Sequence, residues 1–328
     1  MASLSKLRGY IRNNPMRRNF HALRNYLYDF QRFRTHSSAF DPEISAEAMA
    51  ARITKEYHRI EKGMALPDPR PGFGQSTVEY LLKTVPRLEA SFGACLATQG
   101  ARGSLAQYVA FHDQMGQGDL VSPALRGFVA TQSEGLPGGA MSMTRAELQA
   151  ATAVDFDRFA KARYSTRQFT GAAVPEADIK AAIATALKSP RVCNRESRRV
   201  YAAFDPVLRE KLLSFQNGNR GFGDKAGAIL VITSDLRHFT DFGERNQAFV
   251  DGGLFAMTLA FALHGQGYGT CFLNWSAPFW RDRDMRRSFG IPDHEVVITF
   301  LAVGCLPDQF DVAISPVPSV EAVFHSLG

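Results

Sequence analysis

The sequence predicts an all-helical N-terminal domain followed by an α/β or α+β domain whose sheet is covered by helices. Three observations carry this expectation. Nothing before about residue 155 reads as a strand. Beyond it come an alternating run at 199–204 and two apolar β-branched runs, AILVIT at 228–233 and VVITFLAV at 296–303. Long segments with helical character, not hairpin turns, separate these runs, which suits buried strands crossing between layers.

The 328 residues, 45% apolar and 21% charged, suit two domains or one large domain with an extension. No stretch reads as a membrane span, which needs roughly 20 apolar residues. The N-terminus lacks the apolar core of a secretory signal, so the expected location is cytoplasmic, with a peripheral membrane position open to the basic arm described next. Cys95, Cys193, Cys271 and Cys305 are widely spaced and form no CxxC pair. They read as reduced thiols, neither a disulfide framework nor a zinc site.

Net charge is +6, unevenly placed. Residues 1–40 hold eight basic residues (Lys6, Arg8, Arg12, Arg17, Arg18, Arg24, Arg32, Arg34) against Asp29, a balance of +7 that leaves −1 for the remaining 288 residues. Within this arm Phe20, Leu23, Leu27, Phe30 and Phe33 recur at helical spacing. Such a helix lies on an anionic membrane surface, or docks its apolar stripe on its own domain with the basic face in water. No nucleic-acid-reading motif accompanies the charge.

Residues 41–155 read as the helical domain. A helix is expected from Ser45, with Glu47 in its first turn, to a stop at Gly63. His58, Glu61 and Lys62 suggest a polar contact between domains. Pro67 to Gly74 is an ordered loop. Helices follow near 76–98, 103–115 and 122–133, then a break at Gly135–Gly139, then a helix over 144–161. From residue 156 onward, Val174-Pro175 leads a helix over 176–188 that stops at Ser189-Pro190. Asp251-Gly252-Gly253 reads as a turn opening a helix over 254–263 that is apolar on nearly every side and therefore central. Gly265, Gly267 and Gly269 then bend the chain into a strand-like run, Cys271-Phe272-Leu273, ending at Asn274-Trp275.

Arg163, Ser165 and Arg167 carry the clearest chemistry. In an extended stretch they share one side, and two guanidinium forks flanking a hydroxyl suit a phosphate monoester. Some 22 residues later comes Ser189-Pro190-Arg191-Val192-Cys193-Asn194-Arg195-Glu196-Ser197, followed by a strand. This order, with the apolar helix, its glycine turn and Asn217 to Gly223 ahead of AILVIT, resembles the FMN-dependent nitroreductase family over about 158–312. The resemblance implies an α+β fold with a central mixed sheet covered by helices. It implies a homodimer with FMN at the interface and the 254–263 helix between subunits. Arg163, Ser165 and Arg167 would hold the FMN phosphate and ribityl chain. Pro190, Arg191 and Asn194 would border the ring from the other subunit, Asn219 and Arg220 would add a contact, and backbone at Leu273 and Asn274 would face flavin N5 and O4. NAD(P)H is the implied co-substrate in ping-pong transfer to a small planar, quinone or nitro-type acceptor. Helical extensions of this kind are associated with a subgroup linked to polysaccharide synthesis.

The departures are specific. Arg191 stands where the family has a small serine, and Glu196-Ser197 replaces Gln-Pro. No Lys or Arg follows Arg287, and Val317 occupies a segment where a basic residue is expected. The alternative expectation is a non-catalytic scaffold at the membrane surface with a weakened flavin site.

Overall fold

The computed structural model describes residues 15–131 and 135–327; Lys6, Arg8 and Arg12 of the basic arm lie outside them. The N-terminal half contains α1 (Pro15–His36), α2 (Ala46–Met64), α3 (Gln75–Phe92), α4 (Leu96–Gln114) and α5 (Pro123–Ala130). The side chain of Ser45 caps α2 by accepting from the Ala48 amide at 3.1 Å. Gly63 does not stop the helix. A Cβ there would lie 2.1 Å from the Phe73 ring, so this glycine serves close packing and not termination. Ile53, Ile60, Leu81, Val85, Leu105 and Leu125 close one helical core. The run over 144–161 divides into α6 (Arg145–Ala151) and α7 (Phe156–Lys161), because Asp155 caps a new helix by accepting from Arg158.

The arm helix docks by a different face from the expected one. Its polar side reaches the C-terminal half: Tyr28 donates to Asp282 at 2.7 Å, Arg32 donates to the Asp293 carbonyl at 3.1 Å, and Asn25 accepts from the Phe279 amide at 2.9 Å. Phe20, Leu23, Leu27 and Phe30 point to solvent instead, each about half exposed. Only Phe33 of the stripe is drawn in, against Leu236 and Phe239.

The C-terminal half runs α8 (Glu176–Ala186), β1 (Arg198–Ala203), α9 (Pro206–Leu213), β2 (Ala228–Asp235), α10 (Gln247–Gly265), β3 (Gly269–Asn274), α11 (Phe279–Ser288) and β4 (Glu295–Gly304). The strands lie in the order β1–β2–β4–β3, every neighbouring pair antiparallel. The parallel element of a mixed sheet is confined to one bridge, Ser165 to Thr270, outside β3. Alternation along β2 feeds two cores. Ile229 and Val231 meet Leu213, Phe222 and Met285 on one face, while Leu230 and Ile232 meet Ile179, Phe255 and Leu259 on the other. This is the expected α+β sheet covered by helices.

The central helix is longer than its sequence suggested. α10 has 19 residues and takes in Asp251-Gly252-Gly253, which does not form a turn. By length and composition α10 could cross a membrane; here Phe255, Ala256, Leu259, Ala260 and Leu263 are buried against β2 and β4. Gly252 makes that contact close, since a Cβ would sit 2.5 Å from Ile298 Cγ1. Asp251, buried near the start of the helix, accepts from Gln247 at 2.8 Å and from the Val192 amide at 3.1 Å. Gly252→Ala is expected to destabilise the protein by about 1–3 kcal/mol through overpacking. Gly253→Ala, where a Cβ meets nothing within 4 Å, should stabilise it by up to about 1 kcal/mol. Thermal unfolding of the pair checks both signs.

Candidate functional site

After Arg163 the chain pairs through single bridges at Ser165 and Thr166, and Thr166 fixes its orientation. Its amide donates to the Thr270 carbonyl at 2.9 Å, it bridges Val312, and only 4% of it is exposed. Its neighbours Ser165 and Arg167 therefore turn to the other side, and Arg163 precedes them where the last turn of α7 ends, its amide donating to the Ala160 carbonyl at 3.3 Å. Among the described residues neither guanidinium is in an ion pair, and Arg167 reaches only the Ser165 carbonyl, at 3.4 Å. Both lie near Cys271: burial raises that thiol's pKa, and the two arginines partly oppose the rise. Two guanidiniums outside any described ion pair, with a hydroxyl between them in sequence, make a candidate anion cradle.

The outer edge of β3 continues from this cradle. The Thr270 carbonyl faces outward, so by alternation Phe272 and Asn274 offer their backbone outward while Leu273 faces β4. The Asn274 carbonyl accepts from the Gln216 side chain at 2.7 Å. Gln216, Gly218, Asn274, Trp275 and Arg281 line a cavity of about 230 Å³ there. Asn219 is turned inward, donating to the Leu213 and Gln216 carbonyls at 2.9 and 3.0 Å, whereas Arg220 is exposed.

Pro190, Arg191 and Asn194 occupy the turn before β1. Cys193 and Asn194 hold left-handed backbone, φ 47° and 58°, a conformation that non-glycine residues keep only when their surroundings impose it. Arg191 folds back on this turn, donating to Asn194 O and Leu187 O at 3.1 Å each. It thus satisfies a carbonyl just past the end of α8, the end that favours a cation. Buried Arg195 braces the turn from beneath through Val192 O, His238 O, Thr240 and Glu244.

One protomer does not bring these groups together. The cradle lies outside β3, at the sheet end where Thr270 faces Val303; the Pro190–Asn194 turn leads into β1, at the end where Arg198 faces Ser234. They stand on opposite edges and at opposite ends of a four-stranded sheet, a separation of roughly 20 Å from strand spacing and rise.

Residues 160–216 and 207–305 match the Nitroreductase family model. The C-terminal half of the chain belongs to the nitroreductase family. Structures of similar fold include B. megaterium NfrA2, at 21% identity over 52% of this chain and 72% of that one, TM-score 0.46. A putative NADH dehydrogenase/NAD(P)H nitroreductase from Parabacteroides distasonis is 18% identical over 53% of this chain and 99% of its own, TM-score 0.47. An FMN-dependent nitroreductase from Clostridium difficile is 18% identical over 52% and 98%, TM-score 0.44. No curated protein matches the chain.

The N-terminal half lies outside the family match and meets the nitroreductase domain at its most constrained turn. α2 packs on the turns at 192–194 and 236–238. Between them opens a cavity of about 420 Å³, with walls of Ala51, Tyr57, Leu96, Gly100, Arg191 and His238. Glu61 also borders it, yet its partners Ser104, Gly139 and His58 all belong to the helical half, so the expected His58–Glu61 interdomain contact is internal to that half. His238, Arg195, Gln216 and Asp251 were not singled out from the sequence. Asp251 alone carried a signal: a carboxylate inside an apolar run must find a buried partner.

Neither ring nitrogen of His238 has a hydrogen-bond partner, and Asp235 lies 3.9 Å away. Burial pulls its pKa down to about 4; Asp235 opposes this, and Arg199, Arg237 and Arg195 reinforce it. The unfolded chain takes up this proton near pH 6.5 while the folded chain does not, so stability falls as pH drops from about 6.5 towards 4. Over that range the wild type should lose roughly 3 kcal/mol more than His238→Gln, read from urea midpoints.

Proposed function

We propose that the protein is an FMN-dependent oxidoreductase that takes electrons from NAD(P)H and reduces a small planar acceptor of the quinone or nitro type, as a homodimer. The observation that carries this reading is the anion cradle at one corner of the sheet, with the constrained Pro190–Asn194 turn at the opposite corner of a nitroreductase-family domain. A second copy supplies the turn that each cradle lacks. The outer face of α10, with Phe249, Val250 and Leu254 about half exposed, is the apolar surface on which the copies meet.

Arg163 and Arg167 would pair with the phosphate of FMN and Ser165 would donate to it; Thr166, buried and bonded beneath, keeps Ser165 and Arg167 facing one way. Outward-facing backbone at Asn274 lies along the same edge, where a donor stabilises negative charge developing on a ring. When bound, FMN supplies two-electron chemistry, taking hydride from NAD(P)H and passing it to the acceptor. The protein contributes binding, orientation and exclusion of water. In this reading the cavity beneath α2 and α4 receives the acceptor, which gives the helical half a role: small residues such as Ala50, Ala51 and Ala97 leave room for a flat molecule.

One observation favours the scaffold reading. No Lys or Arg follows Arg287, and Val317 is 87% exposed where a basic residue would reinforce the cradle. Absorbance between about 300 and 550 nm separates the two readings, since bound flavin absorbs there. Flavin bands retained through desalting support the oxidoreductase; a colourless protein that cannot be reloaded supports the scaffold. Arg163→Ala with Arg167→Ala removes two charge-assisted contacts and should weaken FMN binding roughly a hundredfold or more. Unchanged occupancy would refute the phosphate assignment. Leu96→Trp, at the mouth of the cavity, should raise KM for a planar acceptor about tenfold or more with FMN content unchanged.

A further inference from the structure

α1 presents to solvent what a soluble helix ordinarily buries. Phe20, Leu23, Leu27 and Phe30 follow one another at three, four and three residues, forming a single stripe. Their exposures are 58, 54, 48 and 53%. The opposite side is already committed. Tyr28, Arg32 and Asn25 hold it to α11 and the start of β4, around Asp282, which also accepts from Trp275 at 2.9 Å and from Arg286 at 3.0 Å. Burial raises the Asp282 pKa, but hydrogen bonds from Tyr28 and Trp275 and the charges of Arg32 and Arg286 outweigh it, so the carboxyl stays below its usual range. The docked face is a buried ionic network, and the helix cannot roll over to hide its stripe without breaking it.

Charge identifies what covers the stripe. Arg17, Arg18, Arg24 and Arg34 are exposed along α1. The guanidinium of Arg24 lies over the Phe279 ring, 4.7 Å from its centre, and 5.6 Å from that of Phe20. On α11, Trp280 is 42% exposed with its ring edge-on to His21, and Arg287 is exposed. An apolar stripe flanked by arginines, with a tryptophan beside it, has the composition of a helix lying in the plane of a lipid headgroup layer. Residues 1–40 carry +7 while the remaining 288 carry −1, so a second copy offers little acidic complement.

We propose that α1, with Trp280 beside it, is the docking surface for an anionic lipid membrane, placing Phe20, Leu23, Leu27 and Phe30 in the headgroup–acyl boundary. Arginines alongside bind lipid phosphates and carboxylates, and the ionic network around Asp282 fixes the enzyme domain's orientation above the surface. This rests on α1 and the adjoining face of α11 and is independent of whether flavin is bound.

The test is co-sedimentation of the full chain with vesicles of phosphatidylcholine alone and of phosphatidylcholine with about one-third phosphatidylserine. Wild-type protein should partition at least tenfold more strongly onto the anionic vesicles, and each arginine neutralised on the exposed face should cost about fivefold. Leu23→Glu with Leu27→Glu should abolish binding, while melting temperature, read alongside, stays within a few degrees because neither side chain packs on the domain. Equal pelleting on both vesicle types, or of variant and wild type, would overturn the proposal. So would a fall in molecular mass by light scattering in the double variant without vesicles, which would assign the stripe to a second copy.

Discussion

A buried guanidinium organises the junction on which both halves of this protein depend. The side chain of Arg195 is fully buried, and an arginine there costs several kcal/mol unless its donors are met. They are met from three segments: Val192 O at 3.3 Å in its own turn, His238 O at 2.6 Å and Thr240 at 3.0 Å beyond β2, and the Glu244 carboxylate at 2.5 Å. The helical half grips the same hub. Lys55 donates to Thr240 at 3.0 Å, and Ser37 and Ser38 donate to the Phe239 carbonyl at 2.7 and 3.0 Å. The left-handed backbone at Cys193 and Asn194 is thus held from below by Arg195 and from the side by Asp251 accepting from Val192. A strained turn with so many fixed contacts keeps one geometry.

The same logic of committed polar groups governs α1. Amphipathic patterning normally decides which side of a helix goes inward, because apolar burial is the largest favourable contribution. Here Tyr28, Arg32 and Asn25 meet acceptors and donors that cluster around Asp282, and two arginines compensate a buried carboxylate. Once that network forms, the apolar stripe meets no cover among the described residues. A long helix exposing Phe20, Leu23, Leu27 and Phe30 along one stripe then becomes a property of the fold and not a packing accident.

How much of this was legible follows from where the determining partner lies. Arg163, Ser165 and Arg167 are expected on one side from the sequence because alternation in an extended segment is local. β2 and β4 were legible within two residues because β-branched runs declare themselves. Gly252 and Gly63 misled for a shared reason. Each glycine reads locally as a breaker, but its role is set by a side chain far away in the sequence, Ile298 in one case and Phe73 in the other. The face by which α1 docks depends on Asp282, 254 residues from Tyr28, and no helical wheel contains that information. Arg195 and His238 were silent for the same reason, since burial of a polar residue is a property of its neighbours.

These constraints together give the helical half a physical place in the proposed mechanism. The Pro190–Asn194 turn has two sides. One would face the partner's cradle in a dimer, and the other forms the wall of the cavity beneath α2 and α4. Arg191 is drawn back onto Leu187 O and Asn194 O and paired with Glu196 at 3.5 Å. Its charge is spent within the turn, so the cavity wall it forms is guanidinium plane and aliphatic stem, suited to stacking. An acceptor in that cavity would touch α2, which is tied through Lys55 and Thr240 to Arg195 and so to the turn itself. The helical half is thereby connected to that turn through one chain of hydrogen bonds. The two halves are joined by several separate polar contacts, among them Lys55 to Thr240 at 3.0 Å, Glu47 to Arg237 at 2.8 Å and Arg32 to Asp282 at 3.6 Å.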